Sequence, residues 1–245
     1  MSGSEVTVDK KASRWEDYVD VFFSPAELYA RRANDSVKPS FWTLLGLGAL
    51  AYYAFLPVNR MVIQASMVAQ AQARGQDVAE VQAAAGGMVR IMSYGGGIMV
   101  AISFALTIAV AALLLWGVGR MIEVKGTYRQ AFLIATYACF VYLLMMIAGS
   151  VAGLIVGEGM DPQRDLSFGL MRFLDPDTLP KAVPPLLRRT EIFLIWQAVL
   201  WGIGMRVVMK ATKAQAAIAA GATWLLFAVP GVISAALGLG QQASN

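Results

Sequence analysis

Runs of about 20 consecutive apolar residues constrain this chain more than any other feature. A hydrocarbon core of about 30 Å takes about 20 residues of helix to cross, whereas soluble domains break their apolar residues into short periodic stretches. Five stretches qualify: about 41–58, 94–121, 131–156, 192–208 and 214–239. Composition agrees, with 58% of residues apolar and 15% charged, where a soluble domain has roughly 45–50% and 25%. The expected fold is all-α, a polytopic transmembrane bundle of five spans. Trp42, Trp116 and Trp201 lie toward span ends, where amphipathic rings favour the headgroup region.

The same composition removes whole classes of chemistry. Histidine is absent, so no imidazole base, catalytic triad or His-ligated metal can be built. The single cysteine, Cys139, makes neither a disulfide nor a thiolate cluster, and inside a span its thiol stays protonated and inert. The net charge is only +4, without the basic stripe and interleaved aromatics of a nucleic-acid binder. No metal, no cofactor and no enzymatic reaction are expected. No acid or base sits at the middle of a span, where pumps and ion-coupled transporters need one. Gln197, Thr107, Thr136 and Tyr137 are the polar groups available, and hydrogen bonds between helices are their expected use.

Orientation follows from the cations. With the N-terminus inside, 12 Lys and Arg residues fall on the cytoplasmic side, crowded into a tail and two very short loops, against 8 spread over two longer outer loops. That predicts a cell (inner) membrane protein with a cytoplasmic N-terminus and an extracytoplasmic C-terminus. The first 40 residues hold six Lys/Arg and seven Asp/Glu and no apolar core, so no cleavable signal peptide is expected. Residues 1–12 read as disordered and 13–40 as an amphipathic membrane-surface segment. Within it, Trp15, Tyr18, Val19, Phe22 and Phe23 recur near helical spacing among acids. Ser24-Pro25-Ala26-Glu27 then restarts a helix, with proline at its first position. Docking of these aromatics on the bundle is the alternative to lipid insertion.

Between spans one and two lies an Ala- and Gln-rich stretch, about 59–93. It predicts an extracytoplasmic helical hairpin turning near Arg74-Gly75-Gln76, with Asp77-Val78-Ala79-Glu80 starting the returning helix. The Gly86-Gly87 and Gly95-Gly96-Gly97 clusters are expected to flex or to allow close packing. The hairpin is either a docking element or a spacer. The second outer loop, 158–190, is broken by five prolines and holds only short helical pieces such as 166–174. Asp161, Asp165, Asp175 and Asp177 do not follow the calcium-loop spacing, which favours an ordinary solvated loop.

Two patterns remain as candidate sites. Gly149, Gly153 and Gly157 form a doubled small-xxx-small repeat, the spacing that lets helix backbones approach in lipid. Ala101, Ala105 and Ala109 repeat it in span two, as do Ala217 with Gly221 and Gly231 with Ala235 in span five. Arg120, Lys125, Arg129, Arg206, Lys210 and Lys213 surround one acid, Glu123, in the two short loops. Juxtamembrane cations each gain about 1 kcal/mol near an anionic leaflet, so this collar predicts phospholipid headgroups as its ligands. Orientation signalling needs the same charges.

The order of motifs also resembles a known family. A Phe23-Ser24-Pro25-Ala26-Glu27 helix precedes the spans. Lys125-Gly126-Thr127-Tyr128-Arg129-Gln130-Ala131-Phe132 leads into Ala135-Thr136-Tyr137-Ala138. Ile192-Phe193-Leu194-Ile195-Trp196 is followed by the basic turn Lys210-Ala211-Thr212-Lys213. Together these are similar to the bacterial branch of the five-span Yip1 family, with Pro25, Gly126, Tyr128 and Trp196 as motif positions. Cys139-Phe140-Val141 stands where the family usually has a proline. The resemblance implies a cytoplasmic N-terminus, five helices and no enzymatic reaction. The expected function is therefore to bind lipid, or a membrane-protein partner or second copy, and to organise a membrane complex. A permease moving a lipid or small hydrophobic solute is the alternative.

Overall fold

The apolar runs become helices, but one of them is broken by a sharp bend and another is entered through one. The computed structural model describes residues 13–73, 75–157, 159–175 and 178–237, and within these the regular structure is entirely helical. The N-terminal residues 1–12 and the end of the fifth predicted span lie outside the described residues. Three continuous stretches are long and apolar enough to cross a membrane: Val89–Met121, Tyr128–Val156 and Lys213–Ala236. The number rises to five if each of two bent pairs counts as one span.

The first bend corrects the expected run 41–58. Helix α3 (Lys38–Ala54) stops, and α4 (Leu56–Ala73) leaves at 78°. Pro57 supplies the cause: it has no N–H to give and its ring crowds the preceding turn. The Tyr52 carbonyl is taken instead by the Asn59 side-chain amide at 2.8 Å. Helix α5 (Val78–Met121) then runs unbroken for 44 residues, about 66 Å at 1.5 Å per residue. Its start is capped as the sequence predicts, the Asp77 carboxylate accepting from Ala79 N–H at 2.8 Å. In the glycine cluster, Gly96 and Gly97 lie directly under the rings of Tyr52 and Tyr53. Those hydroxyls donate to the Met92 and Tyr94 carbonyls, so this cluster serves close packing.

Helices α6 (Tyr128–Ala138) and α7 (Phe140–Val156) form one long stretch with a single irregular residue, Cys139, despite the absence of a proline there. A long loop follows, containing a 3-10 turn at Leu170–Phe173, the short α8 (Val183–Leu187) and a second 3-10 turn at Arg188–Thr190. It enters α9 (Ile192–Val208) through a 68° bend. Helices α10 (Lys213–Leu226) and α11 (Val229–Ala236) complete the chain.

Four helices close a ring, with α6 and α10 each packing against both α5 and α9. The buried centre includes Ile108, Leu115, Ile134, Leu200 and Ala219. Trp201 belongs there too, fully buried and stacked on Phe227 at 6.0 Å, not at a headgroup boundary as its place in the sequence suggests. Gly204 lets α9 meet α6, since an added Cβ would come within 2.6 Å of Ile134. On α10 the buried stripe is Ala216, Ala219, Ala220 and Thr223, while Ala217 and Gly221 face outward. The helix phase, which the spacing of small residues leaves open, decides this.

Helices α1 (Arg14–Phe23) and α2 (Pro25–Arg32) fold back on the side of the ring. A Ser13–Glu16 capping box starts α1, whereas Ser24 makes no side-chain cap to α2. Tyr18 stacks on Phe140 at 4.7 Å, and the Tyr29 hydroxyl donates to the Ile134 carbonyl. Trp15, Val19 and Phe23 point the other way and remain exposed. The segment thus docks one face and presents an apolar stripe on the opposite one.

Candidate functional site

The two short loops meet at one end of the ring, where a repeated local geometry holds them. Each preceding helix ends in a left-handed residue that is not glycine: Glu123 at φ 65° and Lys210 at φ 57°. Each following helix starts with a threonine–glutamine capping box, Thr127 with Gln130 and Thr212 with Gln215. The glutamines then cross over. Gln130 Nε2 donates to the Val208 carbonyl at 3.2 Å, and Gln215 Nε2 donates to the Ile122 carbonyl at 2.9 Å. Each loop therefore satisfies an orphan carbonyl at the end of the other hairpin's first helix.

On this braced platform stand the six predicted cations, all exposed. Arg129 is engaged, donating to the Asn34 and Asp35 carbonyls at 2.8 and 2.9 Å and tying the platform to the segment after α2. Arg120, Lys125, Arg206, Lys210 and Lys213 have no ion pair among the described residues. Of the motif positions, Gly126 and Tyr128 belong to the same platform. An added Cβ on Gly126 would meet Met209 Sδ, and Tyr128 packs edge-on to Trp116 at 6.4 Å. Pro25 opens α2 and Trp196 packs against the core in α9, both away from the loops. The glycine repeat on α7 is not one surface. Gly153 abuts Val58 of α4, while Gly149 and Gly157 have open space around them, Gly157 at φ 76°.

Beside the platform lies a charged network that the sequence does not reveal. Asp17 is fully buried and accepts from Arg31 at 2.8 Å and from Arg32 at 2.7 Å. Arg31 continues to Asp20 at 2.6 Å, and Arg32, only 3% exposed, to Asp35 at 2.8 Å. Burial alone would lower both guanidinium pKa values, but hydrogen bonds to these aspartates outweigh it and leave both raised. Burial, with Tyr137 adding to it, pushes the Tyr29 phenol far above its usual range. Two cations that count toward orientation in the sequence are thus neutralised within the fold. Neighbouring polar groups link helices only in part: the Ser40 hydroxyl donates to Tyr137 at 3.0 Å, while Thr136 bonds back to Phe132 of its own helix.

At the opposite end the loop aspartates serve the loop itself. Asp165 accepts from Asp161 N–H and Asp161 from Gln163 N–H, and Asp177 lies outside the described residues.

The family model of the Yip1 domain matches residues 19–234, from the middle of α1 into α11. The chain belongs to the Yip1 family. No curated protein and no solved structure matches it. For this Yip1 protein the match covers the end of α1, all of α2 and the whole platform. Apolar helices and family together make it a membrane protein.

Proposed function

We propose that this Yip1 protein is a non-enzymatic membrane-organising protein whose platform of short loops faces the cytoplasm and holds anionic phospholipid headgroups, or the acidic surface of a membrane partner. Five exposed cations without ion-pair partners, standing on cross-braced loops, carry this reading. Exposed arginines and lysines cost little to desolvate and gain about 1 kcal/mol each near an anionic leaflet. The same reading has five spans with N-terminus in and C-terminus out in a bacterial inner membrane, each bent pair counting once. Trp15, Val19 and Phe23 would rest in the cytoplasmic leaflet.

The test replaces Lys125, Arg206, Lys210 and Lys213 by glutamine together, leaving Arg129 on its carbonyls. Nanodiscs of mixed phosphatidylglycerol and phosphatidylcholine should show salt-sensitive enrichment of the anionic lipid around the wild-type protein and none around the variant. Equal enrichment in both would remove the reading.

A permease for a lipid or small hydrophobic solute is the second reading. A large groove between α4 and α7 favours it. Its test is movement of a fluorescent lipid between leaflets of liposomes, at a rate above protein-free controls.

A further inference from the structure

At the end opposite the platform, a groove of about 1670 Å³ opens between α4, α7 and the loop segments around Asp161 and Arg189. Sites for drug-sized molecules measure roughly 300–1,000 Å³, so this one suits a larger guest. Much of its wall is apolar: Met61, Ala65 and Val68 of α4, Met145 of α7 and Leu194 of α9.

The polar groups in the groove are unevenly satisfied. Glu191 accepts from the Ser167 hydroxyl at 2.5 Å and Phe168 N–H at 2.7 Å. Asp161 closes its own turn on Gln163 N–H, and Arg188 donates to the Gln163 side chain at 3.0 Å. Arg189 differs. Its guanidinium lies over the Phe227 ring at 5.9 Å, half buried, and meets no carboxylate or hydrogen-bond acceptor among the described residues. Tyr142 lines the same groove, and its hydroxyl likewise has no hydrogen-bond partner among them. An arginine and a phenol without acceptors beside an apolar wall are complementary to an anionic headgroup with acyl chains.

We propose that this groove holds one anionic glycerophospholipid of the phosphatidylglycerol class, its phosphate on Arg189 and Tyr142 and its chains along the α4–α7 wall. A choline or ethanolamine headgroup would bring an ammonium close to Arg189, where like charges repel; a phosphatidylglycerol headgroup brings none. Free phosphate would satisfy Arg189 but leave the apolar wall wet, so the bilayer is the source. The 17 residues of α9 separate this end from the platform, about 25 Å along the axis. The site is independent of what the cationic platform binds.

Full-length protein in nanodiscs containing phosphatidylglycerol with a photoactivatable acyl chain provides the test. Cross-links should fall on α4 between Met61 and Ala69 and near Met145. Labelling should drop about tenfold in Arg189→Gln and less in Tyr142→Phe, and persist in Arg189→Lys. It should also persist in the glutamine variant of the platform and under excess inorganic phosphate. Thermal unfolding checks that each variant is folded. Labels scattered over the exposed α5 face near Ile98 and Leu106 in the wild type would overturn the site whatever the variants do. Equal labelling by a phosphatidylcholine probe, unchanged labelling in a folded Arg189→Gln, or loss of labelling to inorganic phosphate would overturn the assignment of ligand.

Discussion

Gln130 and Gln215 hold each other's hairpin. Each accepts its own capping threonine's N–H through Oε1 and donates through Nε2 across the ring, to Val208 and Ile122 respectively. Replacing Gln215 by glutamate keeps the acceptor and removes the donor. That variant should lose about 1 kcal/mol, while Gln215→Ala should lose about 1–2 kcal/mol with the cap gone as well. Unfolding in detergent, followed by helical ellipticity, separates the two, and a Gln215→Glu variant as stable as the wild type would show that the crossing bond contributes nothing.

Removing one partner of the buried network should be far more damaging. Asp17→Asn removes the buried carboxylate that Arg31 and Arg32 share and leaves the nearly buried Arg32 with less counter-charge, a defect of up to about 3–5 kcal/mol. The joint change Asp17→Leu with Arg32→Met should recover most of that loss, because Arg31 keeps Asp20 at 2.6 Å. A double variant no more stable than Asp17→Asn would mean that the lost ion pairs themselves, and not a stranded charge, set the cost.

The glycine repeat of α7 makes a contrast within one helix. At Gly153 an added Cβ would lie 2.6 Å from Val58 Cγ1, so Gly153→Leu should cost about 1–3 kcal/mol by overpacking. Gly149 has nothing within 4 Å. Gly149→Ala should therefore be neutral or stabilising by up to about 1 kcal/mol of helix propensity. Were Gly149→Leu to shift the species seen by size-exclusion with light scattering, a second copy of the chain would be packing there.

The stripe Trp15, Val19 and Phe23 is exposed along α1. Trp15 fluorescence, isolated by replacing the other tryptophans that tolerate phenylalanine, should be quenched by brominated acyl chains and shielded from aqueous iodide. Strong iodide quenching with no bromine effect would place α1 in water instead.

Much of the fold was legible because its determinants are local. Apolar runs, Asp77 ahead of α5 and threonine–glutamine pairs ahead of α6 and α10 each act within a few residues. The platform cations could be named for the same reason. The bend after Ala54 was signalled by Pro57 and missed, since an apolar run continues across it. Trp201 was placed at a boundary because position in a run says nothing about which face of α9 turns inward.

By itself, the sequence determined that the chain is helical and membrane-embedded, lacks imidazole chemistry and crowds six cations into two short loops. Lipid leaves a backbone no partner but its own, so long apolar runs become helices wherever they occur. Only the tertiary structure decided which charges remain free. Arg32 and Asp17 lie 15 residues apart and pair because α1 and α2 fold back together. Arg189 meets no carboxylate among the described residues, its guanidinium resting instead over the Phe227 ring. Pairing depends on distance in space, and that distance is set by helix phase and bends that residue types at given spacings leave open.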